Sequence, residues 1–182
     1  VSNLDTIGYG QSTPVFLVQR SDGLTSRMGS RTAGESVYRS LGFNQIEDEG
    51  SQYLSEALQH NSTLTSINLN SNEINDKDCR YWSEALKLHN STLVTLHLSD
   101  NLFRDEGSRY LSDALQHNST LTTLDLSTNQ IGAQGIRYLS EALQHNATLT
   151  ELNLTYNGIH NDEHQEAIMA RLEENRNEAT MR

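Results

Sequence analysis

Residues 64–70, LTSINLN, place apolar Ile67 and Leu69 on one side and Ser66, Asn68 and Asn70 on the other. That is the period of two expected of a half-buried strand. Upstream, GSQYLSEALQHN (50–61) spaces Leu54, Ala57 and Leu58 at i, i+3 and i+4, the helical period. The pattern therefore predicts a short strand, a turn at an asparagine and a helix of about three turns.

The same sentence is written again and again. Asn44, Asn72, Asn101, Asn129 and Asn157 keep one register, with intervals of 28, 29, 28 and 28 residues. A fixed period of this size signals a solenoid in which each coil buries its apolar row only against its neighbours. Strands stack about 4.8 Å apart, whereas helices are about 10 Å across. Strands should line the inside of a curve and helices the outside. The phrase HNST closes each helix. Asn61, Asn90, Asn118 and Asn146 are residue types suited to a left-handed helix end.

Residues 64–74, LTSINLNSNEI, fit L-x-x-L-x-L-x-x-N-x-I, as do 93–103, 121–131 and 149–159. The pattern resembles leucine-rich repeats of the 28-residue, ribonuclease-inhibitor-like kind. Its wording, NQIEDEGSQYLSEALQHNSTLTSINL, is most similar to repeats of NOD-like receptors. The resemblance covers residues 44–175. It implies an α/β leucine-rich repeat solenoid, a curved horseshoe segment with parallel strands on the concave face and helices on the convex face. It further implies that each turn asparagine satisfies backbone groups of the adjacent coil, and a role in sensing or scaffolding in the cytoplasm.

Charge narrows the partners. The 182-residue chain carries a formal −11, and residues 1–43 account for +1 while the remainder carries −12. An acidic array disfavours nucleic acid and anionic membrane surfaces. Cys79 is the single cysteine, so no internal disulfide forms. No apolar run reaches membrane-spanning length, and the start, VSNLDTIGYG, lacks the pattern of a secretory signal.

The ends depart from the period. Residues 1–43 are expected to be an irregular N-terminal segment, partly disordered or a poor cap: only TPVFLVQ (13–19) is strand-like, and the Gly/Ser/Thr-rich 21–36 reads as loop. Residues 161–175 form a polar terminal helix, and 176–182 a C-terminal tail.

Three column-like features are better read as structure. The N-x-[ST] matches at Asn61, Asn90, Asn118, Asn146 and Asn153 follow from the repeat itself, not from glycosylation. His60, His89, His117 and His145 form a spaced line that does not converge as metal ligands must. Tyr53, Tyr81, Tyr110 and Tyr138 pack along helix flanks. Trp82 and Phe103 replace core Leu and Ile, and Cys79 is a small, partly buried helix residue. Arg80, Arg109 and Arg137 stand four residues before Glu84, Asp113 and Glu141 as convex ion pairs.

Function is sought where coils differ on exposed positions. The concave rows are small and polar, and His97, Asp125, Glu151 and Asn153 are taken from them as candidates. On the loop edge Leu102 is apolar where other coils are polar or glycine. Arg104 is basic where others are not, Asp100 lies beside them, and Tyr156 is aromatic at its offset. These eight residues are the candidate partner-binding set. The chain shows no nucleophile–base pair, carboxylate pair or metal cluster, and no cofactor is expected. The reading is a non-catalytic protein-binding module or scaffold, a monomer or part of a larger assembly. Two alternatives stand beside it: a Ran-type GTPase-activating protein, for which Arg104 would be the electrostatic contributor, and a partial gene product without a dedicated partner.

Overall fold

The computed structural model describes residues 16–19, 25–28, 37–42, 46, 48–88, 92–159 and 163–181. Twelve elements follow in order: β1 (Phe16–Gln19), β2 (Thr25–Met28), β3 (Val37–Ser40), α1 (Asp48–His60), β4 (Leu64–Asn68), α2 (Asp76–Leu88), β5 (Thr95–His97), α3 (Asp105–Leu115), β6 (Thr123–Asp125), α4 (Ala133–Leu143), β7 (Glu151–Asn153) and α5 (Glu163–Thr180). β3 to β7 form one parallel sheet in chain order, each strand joined to the next through a helix. The register advances one coil at a time, so Ile67 pairs with Leu96, Leu96 with Leu124, and Leu124 with Leu152.

One apolar row of each coil meets the next inside. Ile67, Leu96 and Leu124 stack with Leu69, Leu98 and Leu126 and are all but inaccessible to water. The helices close over them from the other side. In α3 the buried positions are Gly107, Ser108, Leu111, Ser112, Ala114 and Leu115, a single helical face. Trp82 and Phe103 lie fully inside, as their places in the pattern predict, and Cys79 is wholly rather than partly buried.

The turn asparagines lock coil to coil. Asn101 donates through its amide to the carbonyls of Leu69, Leu98 and Ser99, and its Oδ1 accepts from the backbone N–H groups of Asn72 and Ile74. Asn129 repeats the arrangement with Leu98, Leu126, Ser127 and Phe103. Asn72 and Asn157 continue it on either side. Buried backbone groups between coils need such partners because water cannot reach them. Asn44 lies outside the described residues.

A second asparagine ladder corrects an expectation. Asn61, Asn118 and Asn146 do not take the left-handed conformation at their helix ends. Oδ1 of Asn118 instead accepts from the N–H groups of Thr120 and Leu121, while Nδ2 reaches Leu86 O at 2.8 Å. Asn146 does the same toward Leu115 O at 2.7 Å. The side chain bridges two coils, which a local helix cap would not do, and the buried, committed amides of Asn118 and Asn146 leave no room for a glycan. Positive φ occurs instead just before Asn72, Asn101, Asn129 and Asn157, at Ser71 (57°), Asp100 (55°), Thr128 (53°) and Tyr156 (58°), and just after Asn72, at Glu73 (60°).

Helix starts are capped across coils as well. Oδ1 of Asp76, first residue of α2, accepts from Arg104 N and Gly107 N at the start of α3. Asp105 of α3 accepts from Gly132 N and Gly135 N at the start of α4, both at 2.8 Å. Close approach explains the glycines: a Cβ on Gly107 would stand 2.6 Å from Asp76 Oδ1, and one on Gly135 2.8 Å from Asp105 Oδ1. Coil two is the exception. Asp78 occupies the glycine position and caps its own helix, accepting from Asn75 N at 2.8 Å.

The ends differ from the sequence reading. Residues 25–28, expected to be loop, form β2 and pair antiparallel with β1, Phe16 opposite Met28. The dipeptide Asp22-Gly23 between the two runs is a hairpin-turn signal that the compositional reading passed over. β3 brings the parallel sheet upstream of residue 44, with Arg39 in register with Ile67 and an irregularity between Val37 and Tyr38. Backbone hydrogen bonding to β4 carries that strand although its side chains break the apolar pattern. The last helix runs on through the expected tail to Thr180. It bonds to the preceding coil much as the inner coils bond to one another: Asn175 donates to the Asn146 and Leu149 carbonyls, and Arg171 Nε to Leu143 O.

Candidate protein-binding face

Short strands followed by tight turns point alternate side chains into the curve. Four of the eight candidate residues share one depression on that face. His97, Asp125, Glu151 and Asn153 line a hollow of about 330 Å³ together with Arg176 of α5. His97 Nδ1 lies 3.9 Å from Asp125 Oδ2. The other Asp125 oxygen is engaged locally, accepting from Ser127 Oγ at 2.7 Å and Ser127 N at 3.0 Å. Asn153 likewise accepts from Thr155 N and Thr155 Oγ1. These turn-forming bonds hold the two side chains in place and leave Glu151 the more available acceptor, with a 3.5 Å contact from Thr123 Oγ1.

The other four candidates stand on the loops that leave the strands, outside the lining of this hollow. Leu102 is 43% exposed, its N–H tied to Ile74 O at 2.8 Å. Asp100 accepts from Ser71 Oγ at 2.7 Å. Arg104 turns Nε toward Gln130 Oε1 at 3.2 Å, and its guanidinium remains on the surface. Tyr156 is 86% exposed. The sequence reading placed Arg176 in a tail and so missed it. Its one signal is a positive charge on a terminal helix otherwise rich in glutamate, and its Nη1 pairs with Glu173 at 3.1 Å.

The convex face is bonded differently from expectation. Arg137 does face Glu141 at 3.7 Å. Arg109 turns back to Glu106 instead, at 3.0 and 2.6 Å, and lies 4.6 Å from the ring centre of Tyr110. The hydrogen bonds from Arg109 hold the Glu106 carboxyl below its ordinary value. Asp113 takes Lys87 of the preceding helix at 2.9 Å. Burial pushes the Cys79 thiol well above its ordinary value, and the charges of Asp76 and Asp78 add to the shift.

Residues 60–81, 89–112, 117–140 and 145–162 match the family model described as leucine-rich repeat. The coils are leucine-rich repeats. The fold is an α/β leucine-rich repeat solenoid with strands concave and helices convex. A solved structure titled leiomodin-1 actin-binding site 2 superposes with a TM-score of 0.71 at 22% identity, covering 79% of this chain and 83% of that one. The tropomodulin C-terminal domain of Caenorhabditis elegans superposes at 0.70 and 16% identity, covering 82% and 89%. At these identities the likeness is one of fold. Among curated proteins, none matches the sequence. Among the described residues, no helix of this repeat array is long and apolar enough to cross a membrane.

Proposed function

We propose that this leucine-rich repeat chain is a non-catalytic protein-binding module that engages its partner through the concave face and the adjoining loop edge. One observation carries the reading. His97, Asp125, Glu151 and Asn153, candidates from the concave rows, fall into a single hollow, and exposed Leu102 and Tyr156 stand on the loops that leave the same sheet. Variable side chains on a rigid, cross-bonded scaffold suit recognition, because little order has to be created on binding. Apolar and aromatic side chains left in water on such a rim are the residue types that give binding energy.

The leiomodin-1 domain of similar fold is named for an actin-binding site, so actin is the first partner to test. The similarity of the repeats to those of NOD-like receptors adds intracellular sensing or scaffolding as a setting. The test is a pull-down, with actin co-sedimentation beside it, followed by titration of the partner. Leu102→Ala/Arg104→Ala should weaken binding by about five- to thirtyfold, the equivalent of about 1–2 kcal/mol. Arg80→Ala/Arg109→Ala on the convex helices should leave affinity unchanged. The opposite pattern would mean that the protein binds with its helices.

A further inference from the structure

Among the described residues, the stack stops at β7 with the ladder unfinished. Each inner coil passes backbone N–H groups forward: Leu69 to His97 O, Leu98 to Asp125 O, Leu126 to Asn153 O, Thr128 to Thr155 O. One coil further on, the equivalent donors are Leu154 and Tyr156, and β7 is the last strand of the described sheet. Acceptors follow the same rule. Val94 O receives Thr122 N and Thr123 N, and Thr122 O receives Thr150 N and Glu151 N, so the Thr150 carbonyl faces outward at the end.

The core row is unfinished too. Leu96, Leu98, Leu124 and Leu126 are buried, but Leu152 and Leu154 are only partly so. α5 covers part of this row with Ile168 and Leu172, leaving a cleft of about 260 Å³ between strand and helix. Met169, 62% exposed, stands on its rim. The cleft and the charged hollow meet along Leu152 and Asn153, which line both.

We propose that this edge takes up an extended segment of a partner protein in which apolar and basic residues alternate. The inference rests on the protein-binding reading but uses a different surface from the Leu102 and Arg104 loop. A strand added to β7 meets donors two residues apart, the spacing that main-chain pairing requires. Its side chains alternate as those of β7 do. One set points to the cleft with Leu152 and Leu154 and must be apolar. The other points to the side of Glu151 and Asp125, where Lys or Arg complements the carboxylates. Arg176 opposes this little, since its guanidinium is already paired with Glu173.

A second copy of this chain fits the edge poorly. It would set Glu151 and the glutamates of α5 (Glu163, Glu166, Glu173, Glu174 and Glu178) near their own equivalents, with −11 facing −11. A basic partner strand removes that repulsion.

The test uses the full chain and three labelled heptapeptides: alternating Lys and Val, alternating Glu and Val, and a shuffled Lys/Val sequence. Binding is read by fluorescence anisotropy, and exchange of the backbone amides by ¹⁵N-detected NMR. The proposal expects saturable binding of the alternating Lys/Val peptide and slowed exchange at Leu154 and Tyr156. Glu151→Lys and, separately, Met169→Glu should each weaken binding at least fivefold, while Arg80→Ala/Arg109→Ala leaves it unchanged. Equal affinity for the three peptides, or no slowing at those two amides, would overturn it. Slowing that rises with protein concentration in the absence of peptide would assign the edge to a second copy, and would overturn it as well. Either failure leaves the partner titration at Leu102 and Arg104 free to succeed or fail on its own.

Discussion

Replacing Asp105, the first residue of α3, with Ala should destabilise the array by removing a cap that reaches the next coil. The carboxylate Oδ1 accepts two backbone N–H groups, Gly132 and Gly135, each at 2.8 Å. Both donors belong to the first turn of α4, where intrahelical partners are lacking, and the N-cap position Gly132 supplies no side chain of its own. Losing an N-cap interaction costs about 0.5–2 kcal/mol, and a hydrogen bond to a charged group is worth about 1.5–3 kcal/mol. Water can re-enter at the half-buried Gly132, so the two bonds do not add in full and about 2 kcal/mol is expected. For a domain of this size that lowers Tm by about 4–8 °C. Asp105→Asn keeps an acceptor oxygen and should lose less than half as much. Thermal unfolding followed by far-UV circular dichroism, with urea titration at 25 °C, measures both. An Asp105→Ala protein melting within a degree of the parent would refute the cross-coil cap, as would an Asn variant as damaged as the Ala one.

Three further outcomes follow from the same framework. Leu126→Ala, in the fully buried row of a central coil, should cost about 2–5 kcal/mol in chemical denaturation. Thr128 holds φ at 53°, a region costly for a β-branched residue, so Thr128→Gly should leave stability unchanged or raise it by up to about 1 kcal/mol; a clear loss would mean that its side chain matters more than its backbone. The Cys79 thiol, buried and held protonated, should resist iodoacetamide at pH 8 in the native protein and react at once in denaturant, with mass spectrometry reporting the adduct.

Much of the architecture was legible because a repeat states its own register. The register of Asn101 and Asn129 could be read from the period, while their role at the junction between coils came from the resemblance to leucine-rich repeats, which implies it. What escaped is equally physical. Among the described residues the left-handed backbone falls on Ser71, Glu73, Asp100, Thr128 and Tyr156, a set with no shared side-chain chemistry, because the demand comes from the turn and not from the residue. Asn118 looked like a local cap and is a bridge, since its partner Leu86 lies 32 residues away. The Asp105 contact to Gly135 spans 30 residues and leaves only an aspartate in a first helical turn to be noticed. β3 joined the sheet through its backbone, which a search for apolar spacing cannot see. Of the residues lining the concave hollow, coil-to-coil comparison reached His97, Asp125, Glu151 and Asn153. It could not find Arg176, because α5 stands outside the repeat that made the comparison possible.

The most direct test of the binding reading is hydrogen–deuterium exchange of the protein free and in complex with a partner recovered by pull-down. Protection is predicted over residues 95–104, 123–130 and 151–156, with α2 and α3 unchanged. Protection confined to 76–88 and 105–115 would place the partner on the convex helices and contradict it.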